Sequence, residues 1–163
     1  MKKSAILGAV ILLLSILDNS LIPFISIKGV YPSLIFVFVL SYSIINNKWE
    51  ALWIGMFSGV IQDIYFTNVF GVNALFNMLI CVLASEIGSN IIKRKVFIPF
   101  ISCIILSILK GIGVFITFYA MGVYMDYKLI FFTSIYNAVL ILIIYNIVYR
   151  ICTTKSIKRK WKF

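Results

Sequence analysis

An all-α, polytopic membrane protein, built as a six-transmembrane-helix bundle, is the fold this chain predicts, and three observations predict it. Its 163 residues are 63% hydrophobic and 12% charged, against about 45–50% apolar and about 25% charged in soluble domains. Apolar runs of membrane-spanning length recur from end to end, punctuated by glycine, proline and lysine clusters. The alternating segments of about ten residues that mark a transmembrane barrel do not occur.

Taken in order, Lys2 and Lys3 followed by the apolar stretch 4–17 resemble the start of a signal peptide. No small-x-small cleavage site follows, and the apolar run passes Asp18 and Asn19 to Ile27, which predicts an uncleaved first helix. Gly29 and Pro32 punctuate the turn, with Pro32 suited to the first turn of a short second helix over 32–45. Asn46-Asn47-Lys48 predicts a tight turn and 49–66 a third helix; 67–70 is a loop. Gly71 opens a fourth helix ending near Ile92, where Lys93-Arg94-Lys95 breaks the pattern. Pro99 lies early in a fifth helix over 96–121, 122–128 is a polar-aromatic loop, and 129–149 is the sixth helix. Residues 1–152 are thus expected to form one bundle, and 153–163 a basic cytoplasmic tail.

Charge decides between six spans and five. With six, both termini share a side with Lys2, Lys3, Lys48, Lys93, Arg94, Lys95, Arg150, Lys155, Lys158, Arg159, Lys160 and Lys162, and the other side keeps Lys28 and Lys128. The positive-inside rule then puts both termini in the cytoplasm of a multi-pass protein of the bacterial cytoplasmic membrane. This asymmetry also accounts for the net charge of +10 without nucleic acid as a partner. The tail around Lys155–Lys162 can in addition anchor to anionic lipids, at about 1 kcal/mol per basic residue.

Several chemistries are excluded. There is no histidine and no Cys-x-x-Cys, so neither a histidine dyad nor a zinc or haem site can be assembled in the usual way. Cys81, Cys103 and Cys152 read as packing residues. No loop is large enough for a nucleotide-binding or soluble catalytic domain. The expectation is a protein that is not an enzyme and carries no cofactor or metal.

The stretch Gly55-Met-Phe-Ser-Gly-Val-Ile-Gln-Asp-Ile-Tyr-Phe-Thr-Asn-Val-Phe-Gly-Val-Asn-Ala-Leu75 is the most informative. On a helix, Gly55, Ser58, Gly59, Gln62 and Asp63 share an arc of roughly 140°, while Trp53, Met56, Phe57, Val60, Ile61 and Ile64 cover the rest. In a bilayer the second face meets lipid and the first meets helices or a cavity. Gly55-x-x-x-Gly59 fits close packing within the bundle or a helix dimer. Glu86 shares a face with Lys93 near the cytoplasmic end, suiting a salt bridge.

A charge inside a span costs about 2.5–3.5 kcal/mol. Asp18, Asp63 and Lys110 each lie roughly fourteen residues, about 21 Å, from the cytoplasmic ends of their helices. Asn73, Asn77 and Asn137 fall in the same outer half. The expectation is an outward-facing polar cluster of Asp18, Gln62, Asp63, Asn73, Asn77, Lys110 and Asn137 in which Asp63 pairs with Lys110. Such a pair could fix helix register alone, or line a functional cavity.

These residues carry a resemblance. The basic start and apolar first helix, Tyr31-Pro32, Gly55-x3-Gly59-x3-Asp63 and Gly71-x2-Ala74-Leu75 together resemble the rod shape-determining protein MreD family. The resemblance implies an integral membrane scaffold of the bacterial cell-elongation complex, regulating lateral peptidoglycan synthesis. It implies binding to the transmembrane helix of MreC and, through it, to MreB, RodA and a class B penicillin-binding protein. Gly55, Gly59, Asp63 and Gly71 are the helix-packing or partner-binding residues it carries over. The family's bundle is also similar to substrate-binding subunits of energy-coupling-factor vitamin transporters, which is the alternative function. Those subunits dock through small residues on their first helix, where this chain has Ser4, Ala5, Gly8 and Ala9.

Overall fold

The computed structural model describes residues 2–26, 30–66, 70–90, 97–124 and 126–153. Among them the chain is all-helical: α1 (Lys2–Ser20), α2 (Leu34–Ile45), α3 (Lys48–Phe66), α4 (Val72–Ser89), α5 (Phe97–Ala120) and α6 (Lys128–Thr153). The tail beyond residue 153, the Lys93-Arg94-Lys95 cluster and Lys28 lie outside the described residues.

The first helix stops at Ser20 rather than near Ile27. The chain tightens into a 3₁₀ turn, Ile22–Ile25, with Pro23 in it, because proline lacks an N–H and its ring collides with the preceding turn. Pro32 is not in the first turn of α2. It lies outside the helix, and Ser33, extended at φ −112° and ψ 108°, takes the N-cap, its hydroxyl accepting from Phe36 N. Serine is a stronger start signal here than proline, because its oxygen satisfies an N–H that the helix leaves open.

α2 is the centre of the bundle. Its 12 residues rise only about 18 Å, yet it touches all five other helices, and Ile35, Val37, Leu40 and Ile44 are completely buried. Phe36, Leu40 and Ile44 pack with Ile80, Cys103, Ile141 and Tyr145. Ile35, Val39 and Tyr42 pack on the other side with Ile11, Ile54 and Ile61. Buried Ser41 and Ser43 return their hydroxyls to Val37 O and Val39 O, at 2.7 and 2.8 Å, leaving no orphan donor.

α3 and α4 approach backbone to backbone. A Cβ on Gly55 would meet Asn77 O at 2.7 Å, and one on Gly59 would collide with the backbone of Asn73 and Ala74. Gly88 is pressed in the same way on Ile44 of α2. At the far end of α5, Val123 N donates to Phe118 O at 2.9 Å and Gly122 N to Tyr119 O at 3.1 Å. With Gly122 at φ +73°, this is a Schellman stop, and it needs the glycine.

Consecutive helices run antiparallel, so α2 lies parallel to α4 and α6, which pack on it. One end gathers Ser85 with Asn46 O (2.8 Å) and Asn46 with Cys152 (3.8 Å). Lys48 forms an ion pair there with Glu86. Glu86 therefore has a partner on α3; Lys93 lies outside the described residues. Outside, Leu13, Ile16, Trp53, Ile64, Ile105, Ile116, Ile135 and Ile143 form an exposed apolar belt, as a lipid-facing surface requires. Ile61 departs from the expected lipid face: it is 5% exposed, covered by α1 and α2. Among the described residues four segments, Ala5–Phe24, Val72–Ser89, Phe97–Ala120 and Lys128–Thr153, are long and apolar enough to cross a membrane.

Candidate functional site: a capped polar cavity

The end opposite Lys48 and Glu86 collects the C-terminal halves of α1, α3 and α5 and the N-terminal halves of α2, α4 and α6. Two of the helices that begin there, α2 and α4, start beside buried side chains, and each leaves open N–H groups with a partial positive charge. Two aspartates meet that demand.

Asp18, 5% exposed on α1, accepts from Leu34 N at 2.8 Å and Ile35 N at 3.1 Å, and from the Ser33 hydroxyl at 3.2 Å. It caps α2 from another helix. Asp63, 2% exposed on α3, accepts from Gly71 N, Asn73 N and Ala74 N, each at 3.0 Å, and from Asn73 Nδ2 at 3.1 Å. It caps α4. Gly71 is at φ +97°, a conformation that disfavours any residue with a Cβ, while its amide donates to Asp63.

Lys110 of α5 is therefore not the partner expected for Asp63. Its Nζ donates to Gln62 Oε1 at 3.2 Å and lies 4.7 Å from the Phe36 ring centroid. The direct Asp63–Lys110 pair is replaced by this arrangement. A carboxylate already serving several converging amides gains less from one ammonium than the helix start would lose.

Gln62 links the two halves. Its Oε1 also accepts from Asn77 Nδ2 at 2.8 Å, and its Nε2 donates to Ser33 Oγ at 2.9 Å. Ser33 N donates to Asn137 Oδ1 at 3.0 Å, and Asn137 Nδ2 donates to Ser107 Oγ at 3.0 Å. One connected network thus ties α1 to α2, α3, α4, α5 and α6. Asn77 Oδ1 accepts from no donor among the described residues.

A cavity of about 310 Å³ opens beside this network, with Asp18, Gln62, Asn73, Lys110 and Asn137 on its wall. Asn77 lies behind Gln62, and Asp63 behind Asn73. Gly55 and Gly59 are inside the α3–α4 contact. Ser33, the hub, and Phe36 were not singled out from sequence. Ser33 could have been, as a serine directly before an apolar helical run. Among the described residues no three His, Cys, Asp or Glu side chains gather to hold a metal.

The profile of the rod shape-determining protein MreD family matches residues 2–155, nearly the whole chain. The chain belongs to the MreD family. Membership places it among the membrane proteins that determine rod shape, a family of structural components rather than known enzymes. Comparison with curated proteins and with solved structures returned no match. In this MreD-family chain the Gly55, Gly59 and Asp63 pattern falls on one helix face, turned wholly toward α4.

Proposed function

We propose that the chain is an integral scaffold of the bacterial cell-elongation complex, binding the transmembrane helix of MreC and regulating lateral peptidoglycan synthesis. The family match over residues 2–155 carries this reading. MreB, RodA and a class B penicillin-binding protein are its indirect partners through MreC. Six spans with both termini cytoplasmic fit the charge asymmetry, and the basic tail adds attraction to anionic lipids.

The packing supports a scaffold. Gly55 and Gly59 are buried against α4, so the partner helix meets the exterior belt and not this seam. A helix carrying its own apolar surface gains nothing from leaving lipid except close packing and hydrogen bonds, so a rigid bundle is what the task needs. The experiment is depletion in a rod-shaped bacterium together with detergent co-purification. Rounding of the cells, rescue by this chain, and recovery of MreC only when MreC keeps its transmembrane helix are expected. Cells that stay rod-shaped, or recovery of MreC lacking that helix, contradict the reading.

A further inference from the structure

We propose that the cavity beside Lys110 binds an amphiphile carrying one anionic group, a carboxylate or phosphate, seated on Lys110 Nζ with its apolar part along the α5–α6 wall. This goes beyond scaffolding and does not depend on which protein the bundle docks.

The inference starts from hydrogen-bonding capacity. An ammonium carries three N–H donors. Among the described residues Lys110 spends one on Gln62 Oε1, a neutral oxygen already shared with Asn77. The Phe36 ring lies on another side. Asp18 and Asp63 act on it through space, but neither bonds it directly: Asp18 holds the start of α2, and Asp63 the start of α4. Had Lys110 served only to lock helix register, a carboxylate was within the same cluster to receive it. Instead the cation borders a cavity with donors to spare, and a cation in apolar surroundings is best served by an anionic oxygen.

The remaining wall sets the rest of the ligand. The lining also includes Val114, Phe118, Leu129 and Ile130, apolar residues of α5 and α6. At about 310 Å³ the space is at the small end of ligand pockets, which run from about 300 Å³. It holds a head group and a short length of chain, not a whole lipid. A cationic ligand would meet the Lys110 ammonium on the same lining, and the lining carboxylate, Asp18, already spends its oxygens on Leu34, Ile35 and Ser33. A membrane phospholipid and a water-soluble apolar acid share the required chemistry.

The test uses the full-length chain in detergent and follows its thermal midpoint against octyl phosphate. Octyl glucoside supplies the same chain with an uncharged head, and inorganic phosphate the anion alone. A saturable rise with octyl phosphate, absent with octyl glucoside, is expected. Lys110→Gln should raise the half-saturating concentration at least about tenfold, the loss of one charge-assisted bond, and Thr133→Phe, at a lining position on α6, should weaken binding as strongly by filling the cavity while keeping the cation. If Lys110→Gln does not fold, Thr133→Phe carries the comparison. Mass spectrometry of extracted lipid separates the sources. Phospholipid retained by the wild type and lost from the variants assigns a membrane lipid; octyl phosphate binding without it assigns a soluble acid, and either supports the site. No saturable response, an equal response to octyl glucoside, or an unchanged response in the variants overturns it.

Discussion

Ala74 N, at the start of α4, donates to Asp63 Oδ2 on α3 at 3.0 Å. The same device recurs where Leu34 N, at the start of α2, donates to Asp18 on α1 at 2.8 Å. An acidic residue near the end of one helix supplies the cap for the next. Both carboxylates are buried, and where water cannot reach an open N–H a buried carboxylate has a structural duty as its acceptor.

Capping predicts that the oxygen matters more than the charge. Asp63→Ala orphans several donors and is expected to cost about 3 kcal/mol, whereas Asp63→Asn, which keeps a capping oxygen, should cost about 1 kcal/mol. Thermal midpoints in detergent check the order. Equal losses would show that charge, not capping, is what Asp63 provides.

The glycines should rank by what their missing Cβ would strike. Gly59→Ala drives into the Ala74 backbone and Gly88→Ala into Ile44 O, so both should cost at least the ~1–3 kcal/mol of an overpacked core. Gly71→Ala has open space but φ +97°, and should cost about 1–2 kcal/mol of left-handed strain. Gly8→Ala, inside α1, meets only Phe57 Cε1 at 3.8 Å and should gain up to about 1 kcal/mol of helix propensity. The same denaturation series measures all four.

Coupling should follow the hydrogen bonds rather than the formal charges. A double-mutant cycle of Gln62→Leu with Lys110→Met is expected to give an interaction energy of about 0.5–3 kcal/mol. The parallel cycle of Asp63→Asn with Lys110→Met should fall below it. A larger Asp63–Lys110 value would contradict the geometry.

The Lys48–Glu86 bridge should contribute little. Its side chains are 59% and 51% exposed, and exposed pairs are worth about 0–1 kcal/mol. Lys48→Ala and Glu86→Ala are expected to leave the midpoint within the scatter of the wild type.

Much of this architecture was legible from residue order because apolar runs and breakers carry it. The boundaries near Lys48, Phe66 and Gly71 follow from local chemistry, and so does the polar face of α3. What hydropathy could not show is whom a buried charge serves. Counting residues put Asp63 and Lys110 at one depth, but depth says nothing of rotation. Backbone N–H groups are identical at every position, so the amides that draw in Asp18 and Asp63 leave no trace in composition. Ser33 was hidden by its neighbour Pro32, which looked like the helix start. Ile61 faced lipid on a helical wheel because the wheel cannot place α1 beside α3.

The most direct measurement is the thermal midpoint of a reciprocal exchange, Asp63→Lys with Lys110→Asp, against either single reversal. With Asp63 acting as the cap of α4 and Lys110 bonded to Gln62, the exchanged protein is expected to be no more stable than the worse single variant. Recovery toward the wild-type midpoint in the exchanged protein would mean that the two charges hold each other, and that the capping account is wrong.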